Sequence, residues 1–159
     1  MKRRSGSARA ESFWRFSLMI YSRPGVAGVL IGLQDERGHN LNLILFGLWL
    51  GLCEATPLDV AGLTRARAAI ESLDHDIVQK LRGLRRASKA DPHTDVQDLR
   101  RRLLALEVAA ERCMQTRLAM SVVRRTDAAP MDRKALAEAN LRLILGPDFS
   151  PETAKLLCG

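Results

Sequence analysis

Apolar residues recur along most of this chain at steps of three and four, the spacing of one face of an α-helix. No stretch alternates apolar and polar positions with β-branched enrichment, so no strand is predicted. The pattern predicts an all-α protein. Its parts are an apolar three-helix head over 11–56, a long antiparallel helical hairpin over 57–125, and one or two short closing helices over 126–159. Residues 1–10 are small, basic and terminal and are expected to be disordered.

Within the head, a first helix is expected from about Ser12, acting as its cap, to Ser22. Trp14, Leu18 and Tyr21 fall on one face; Phe13, Phe16 and Ile20 cover the next, so this helix should be largely buried. Pro24-Gly25 breaks the chain, and a second helix is read from Pro24 to Glu36. Its Ala27, Gly28 and Gly32 would let a neighbour approach closely, and Gly38 suits a left-handed stop. Asn40 is placed to cap a third helix, Leu41 to Ala55. That helix is apolar all round apart from Asn42 and belongs in the middle of the head.

The hairpin reads as a helix from Asp59 to Ala90, a break at Asp91-Pro92, and a helix capped by Thr94 or Asp95 that runs to about Arg124. The first arm carries Leu63, Ala66, Ile70, Leu73, Ile77 and Leu84 as its stripe, with one slip, Leu81 in place of Lys80. The second carries Val96, Leu99, Leu103, Leu106, Ala110, Cys113 or Met114, and Leu118. About thirty residues give an arm of roughly 45 Å at 1.5 Å per residue, so part of it must project or pair with another chain. Ala128-Ala129-Pro130 breaks the chain again. Asp132 to Leu145 forms a sixth helix, and Ser150-Pro151-Glu152 opens a short terminal one.

Composition alters this picture in one respect, the sign of the charge. The chain has 159 residues and a net charge of +7, with most of the basic excess in the middle third. Such a chain attracts polyanions generally. The excess is largely arginine, a skew that genomic codon bias also produces. The three cysteines, Cys53, Cys113 and Cys158, are far apart and form no CxxC pair. Cys53 and Cys113 fall in apolar patterns and are expected to be buried, Cys158 to be exposed, and all three to be reduced in the cytoplasm. The longest apolar run, Leu41–Cys53, is shorter than the roughly 20 residues of a membrane span, and no targeting signal is evident.

Two clusters are candidates for chemistry. Gln34, Asp35, His39, Asn40 and Asn42 gather between two apolar helices, where they would form a small-ligand pocket or simply a solvated turn with Asn40 as a cap. Asn42 needs a partner in either case, because an unpaired buried amide costs about 1–3 kcal/mol; Gln34 is one candidate. The second cluster is basic: Arg82, Arg85, Arg86 and Lys89 before the hairpin tip and Arg100, Arg101 and Arg102 after it. Both runs should lie near one end of the arm and could grip a phosphate backbone, although Asp91, Asp95 and Asp98 share that end. No aromatic residue lies between 50 and 148, so base stacking is not available there. His39, His75 and His93 have no partners at metal-ligand spacing. No phosphate-loop, dinucleotide, hydrolase or metalloprotease motif occurs, so no catalytic residue, metal or cofactor is assigned.

Phe13-Trp14, Phe16-Ser17-Leu18, Tyr21, Pro24-Gly25-Val26, Leu33-Gln34-Asp35, Gly38, Asn42-Leu43, Phe46, Leu48-Trp49 and Leu50 form an ordered string over Phe13 to Gly51. This block resembles the uncharacterised proteobacterial family known as domain of unknown function 2390. Where the family pattern often carries cysteines, this chain has Leu30 or Ile31 and Gly47, which argues against cysteine chemistry. The resemblance implies a small bacterial protein and no activity. From the residues themselves we expect a cytoplasmic, non-enzymatic interaction protein working through its helical surface with a protein partner, or with another copy through the hairpin. The alternatives are a backbone-directed nucleic-acid-associated protein and a ligand-binding protein or enzyme with a pocket near Gln34–Asn42.

Overall fold

Helix α3 (Leu41–Leu52) runs through the middle of the molecule, since a helix apolar all round is stable only when covered on every side. The computed structural model describes residues 2–123 and 132–159. Among these, the elements in chain order are α1 (Lys2–Tyr21), α2 (Val26–Asp35), α3, α4 (Val60–Leu73), a π-helical turn (Asp74–Val78), α5 (Gln79–Ala87), α6 (Thr94–Ser121), α7 (Arg133–Leu145), a 3-10 turn (Gly146–Asp148) and α8 (Pro151–Cys158). No strand occurs among them. The fold is all-α, as the periodicity predicts. The expected end of the second arm at Arg124 and the break at Ala128–Pro130 lie outside the described residues.

Leu41 through Gly51 are all buried. One side of α3 meets α1, where the rings of Phe13, Phe46 and Trp49 stack and tilt with centroids 5.1–6.2 Å apart. The other side meets α7, which brings Ala137, Leu141 and Ile144 into the core. A Cβ built at Gly51 would fall inside the backbone of Ala137, so glycine sets how closely these two helices approach. That corrects the role given to Gly28 and Gly32, which face open space. Asn140 on α7, 1% exposed, donates to the carbonyls of Gly47 and Thr56 and accepts from the Leu58 N–H at 2.7 Å. It thereby ties the α3–α4 connection into the core.

The N-terminus departs from expectation. Residues 2–10 are helical, as the backward continuation of α1, which is tied on two sides: Arg9 pairs with Glu54 past the end of α3 at 2.8 Å, and Glu11 with Arg112 on α6 at 2.8 Å. Ser12 is therefore not a cap; its hydroxyl accepts the indole N–H of Trp49. The outer face of α1 is less buried than predicted, with Leu18 54% and Met19 46% exposed. Helix α2 begins at Val26 rather than Pro24, with Gly25 in the left-handed conformation at its cap. Gly38, φ +72°, stops it as predicted, its N–H donating to Gln34 O at 3.1 Å. Helix α3 ends at Leu52, short of Ala55, which takes a positive φ.

The hairpin contains a register shift. Leu63, Ala66, Ile70 and Leu73 are buried, and the next buried position is Val78, five residues on, across the π turn. Ile77 and Leu84, predicted for the stripe, are exposed instead. On α6 the core positions are Glu107, Ala110, Met114, Gln115, Leu118 and Ala119, so Leu99 and Leu106 are left exposed on a flank. The arm before the tip ends at Ala87. Asp91 accepts from the backbone N–H of His93 at 2.9 Å, which makes His93, not Thr94 or Asp95, the residue before α6. The cysteine expectation is reversed. Cys53 lies past the end of α3 and is exposed; Cys113 is exposed because Met114 takes the core position. Cys158, the last residue of α8, is buried, and that burial pushes its thiol up to about 11.

Candidate functional site

The loop that stops α2 and starts α3 lies against the π turn and α5, and the space between them is a cavity of about 260 Å³. All five residues of the predicted polar cluster, Gln34, Asp35, His39, Asn40 and Asn42, line it. So do Arg82 and Arg86, which the sequence places in a separate basic cluster. Asp74, Gln79 and Met114 complete the wall.

Each polar side chain is held by a local cause. Asn40 is the cap predicted: its Oδ1 accepts the N–H groups of Asn42 at 3.0 Å and Leu43 at 3.3 Å. Asp35 accepts from Arg86 at 2.7 Å and from Gln34 at 3.3 Å. The bond from Arg86, then that from Gln34, holds its carboxyl below the usual carboxylate range. Asp74 opens the π turn and accepts from Gln79 at 2.9 Å. His39 meets Asp148 at 2.9 Å through Nε2, and Arg37 reaches the same carboxylate at 3.6 Å. A second cavity, about 510 Å³, lies beyond the His39–Asn40 loop and shares Asp74 with the first.

Asn42 is 5% exposed. Its Oδ1 accepts from Gln115 at 2.9 Å, so its partner is Gln115 on α6 and not Gln34. Gln115 in turn accepts from Ser17 at 3.1 Å, so one buried polar chain joins α1, α6 and α3. The Nδ2 of Asn42 donates to no described residue. Ser17, Gln115, Asp74, Gln79 and Asp148 escape sequence reading. The available signal was a polar residue standing at a core step of an apolar stripe, as Gln115 and Glu107 do.

The basic cluster does not assemble at the tip. Arg82 bonds Glu107 and Glu111, each at 2.9 Å, and Arg85 bonds Glu107 at 2.6 Å. Arg86 turns to Asp35. Burial pushes the Glu107 carboxyl up, but the hydrogen bonds from Arg85 and Arg82 outweigh it and hold the group below its ordinary value. Burial raises Glu111. Lys89, Arg100, Arg101 and Arg102 remain near the tip, and Arg101 is paired with Asp98 there. Among the described residues no three His, Cys, Asp or Glu side chains converge as metal ligands. No single described helix is long and apolar enough to cross a membrane; α1 and α2 reach that apolar length only together, across a 104° bend.

Among known families, the model described as protein of unknown function (DUF2390) matches residues 12–118. It takes in the hairpin as well as the Phe13–Gly51 block, and so extends the resemblance read from the residues. No curated protein and no solved structure matches the chain.

Proposed function

The chain belongs to the DUF2390 family, and we propose that it works as a non-enzymatic interaction protein that docks another polypeptide along its hairpin. One observation carries this reading. Leu84, Leu99, Leu104 and Leu106 are 47–57% exposed on α5 and the first half of α6. The bonds from α1 and α3 meet α6 at Arg112 and Gln115, nearer its far end, so no described bond from the head covers these leucines. Leu99 and Leu106 lie seven residues apart, hence on one flank of α6. An apolar flank of this kind fits the apolar stripe of a partner helix. The unpaired cysteines suit a reducing compartment, which favours the cytoplasm.

The basic-tip reading is less favoured, because Arg82, Arg85 and Arg86 are engaged by acidic residues of the same chain. The test is affinity capture from the native cytoplasm with the wild type and the Leu99→Asp/Leu106→Asp variant, with and without nuclease. The expected result is a discrete partner, or a second copy of the chain, that survives nuclease and is lost with the variant. Equal capture by both proteins would refute the hairpin flank. Capture abolished by nuclease would instead move the function to the basic tip.

A further inference from the structure

The polar cavity stands apart from the exposed leucines, and its argument does not depend on docking. We propose that it binds a small zwitterion of the α-amino-acid class, with the ligand carboxylate on Arg86 and its ammonium on Asp74.

Asn42 gives the first reason. Asn42, which lines the cavity, uses only its oxygen, on Gln115, and its Nδ2 donates to no described residue. A ligand carboxylate or carbonyl supplies the missing acceptor.

The π turn gives the second. Such turns interrupt an α-helix at a cost in hydrogen-bond geometry and concentrate at functional sites. Here the turn opens with Asp74 and sets that carboxylate in the cavity wall. Gln79 occupies one of its oxygens and leaves the other free. Arg86 uses only one terminal nitrogen, on Asp35, so the rest of its guanidinium can meet a second carboxylate.

The balance of charge selects the ligand. The wall carries Arg82 and Arg86 against Asp35 and Asp74. A bare phosphate would lie beside two carboxylates, and a bare cation beside two guanidinium groups. A molecule carrying both signs meets opposite charge at each end. At about 260 Å³ the space is just below the range of drug-sized sites, roughly 300–1,000 Å³, which suits an amino acid better than a nucleotide.

The test is titration calorimetry of the full chain with each common free L-amino acid. The best binder is then compared with its deaminated acid and its decarboxylated amine. We expect saturable one-to-one binding of at least one amino acid, with both analogues weaker by about tenfold or more, equivalent to roughly 1.4 kcal/mol. Asp74→Asn should weaken the amino acid by a similar factor and leave the deaminated acid unchanged. Arg86→Gln should do the reverse, sparing the amine. Both residues sit at the rim of the cavity, outside the core, so unchanged melting temperatures will separate lost binding from lost fold. No saturable binding by any amino acid, or variants that bind as the wild type does, would overturn the proposal.

Discussion

The close approach of α3 to α7 depends on single glycines, and it can be tested one residue at a time. At Gly51 an added methyl would meet the backbone of Ala137, which cannot rotate away. At Gly28 the same methyl meets nothing within 4 Å. Overpacking a tight core costs about 1–3 kcal/mol, more when backbone must move. Replacing an unhindered helical glycine by alanine stabilises by roughly 0.5–1 kcal/mol. Gly51→Ala should therefore lower the midpoint of denaturant unfolding, and Gly28→Ala should raise it. A Gly51→Ala protein as stable as the wild type would mean that α3 and α7 are not packed this tightly. The sequence shows both glycines inside helical patterns with equal clarity. Only the position of α7, far along the chain, distinguishes them, so close packing was assigned to the wrong helix. Asn40 and Gly38 were legible for the opposite reason: a cap and a left-handed stop bond to backbone a few residues away.

At the scale of the element, the hairpin shows how a local signal can be seen and misread. Its first stripe runs at three- and four-residue steps through Leu73 to Ile77 and then slips by one, with Leu81 apolar where the step falls on Lys80. That slip marks the π turn, which carries the buried face from Leu73 to Val78. Taken as an exception, it left Ile77 and Leu84 assigned to the core. It also hid the inward aim of Arg82 and Arg85, whose bonds to Glu107 close the two arms. Glu107 is 4% exposed, so its removal strands two guanidinium groups. Breaking a buried pair costs about 3–5 kcal/mol, lowered here to roughly 2–3 because Arg82 keeps Glu111. The pH dependence has a definite sign. The Glu107 carboxyl lies below its ordinary 4.5, so its contribution is complete above that value and is lost as the pH falls below it, through the folded-state value. Glu111 is raised by burial, so acidification from above 4.5 favours folding through that residue, and this opposing effect survives in the variant. Glu107→Gln should therefore lose stability at neutral pH and show a flatter decline below 4.5 in unfolding curves. An unchanged acid limb would show that the Arg82–Glu107–Arg85 cluster does not govern the acid stability of the hairpin.

At the scale of the whole molecule, the family match and the core have different limits. The match stops at Leu118, before α7. The core does not: Leu136, Leu141, Ile144 and Leu145 on α7 and Leu157 on α8 are all 5% exposed or less. Burying a leucine or isoleucine contributes about 1.5–3 kcal/mol, so these five amount to the order of 10 kcal/mol as an upper estimate. That is comparable to the whole stability of a domain this size, roughly 5–15 kcal/mol. Without α7 and α8 the far side of α3 would face water, with Gly47 and Gly51 offering no side chains to shield it. A chain ending at Val123 should therefore lose its cooperative thermal transition and expose apolar surface to a hydrophobic dye, while keeping much of its helical circular dichroism. Adding a peptide of residues 132–159 should restore the transition, because Asn140 and the leucines beside it carry the missing contacts within one short segment. Cooperative melting of the shortened chain at the temperature of the full protein would show instead that residues 12–118 hold a sufficient core and that α7–α8 are accessory.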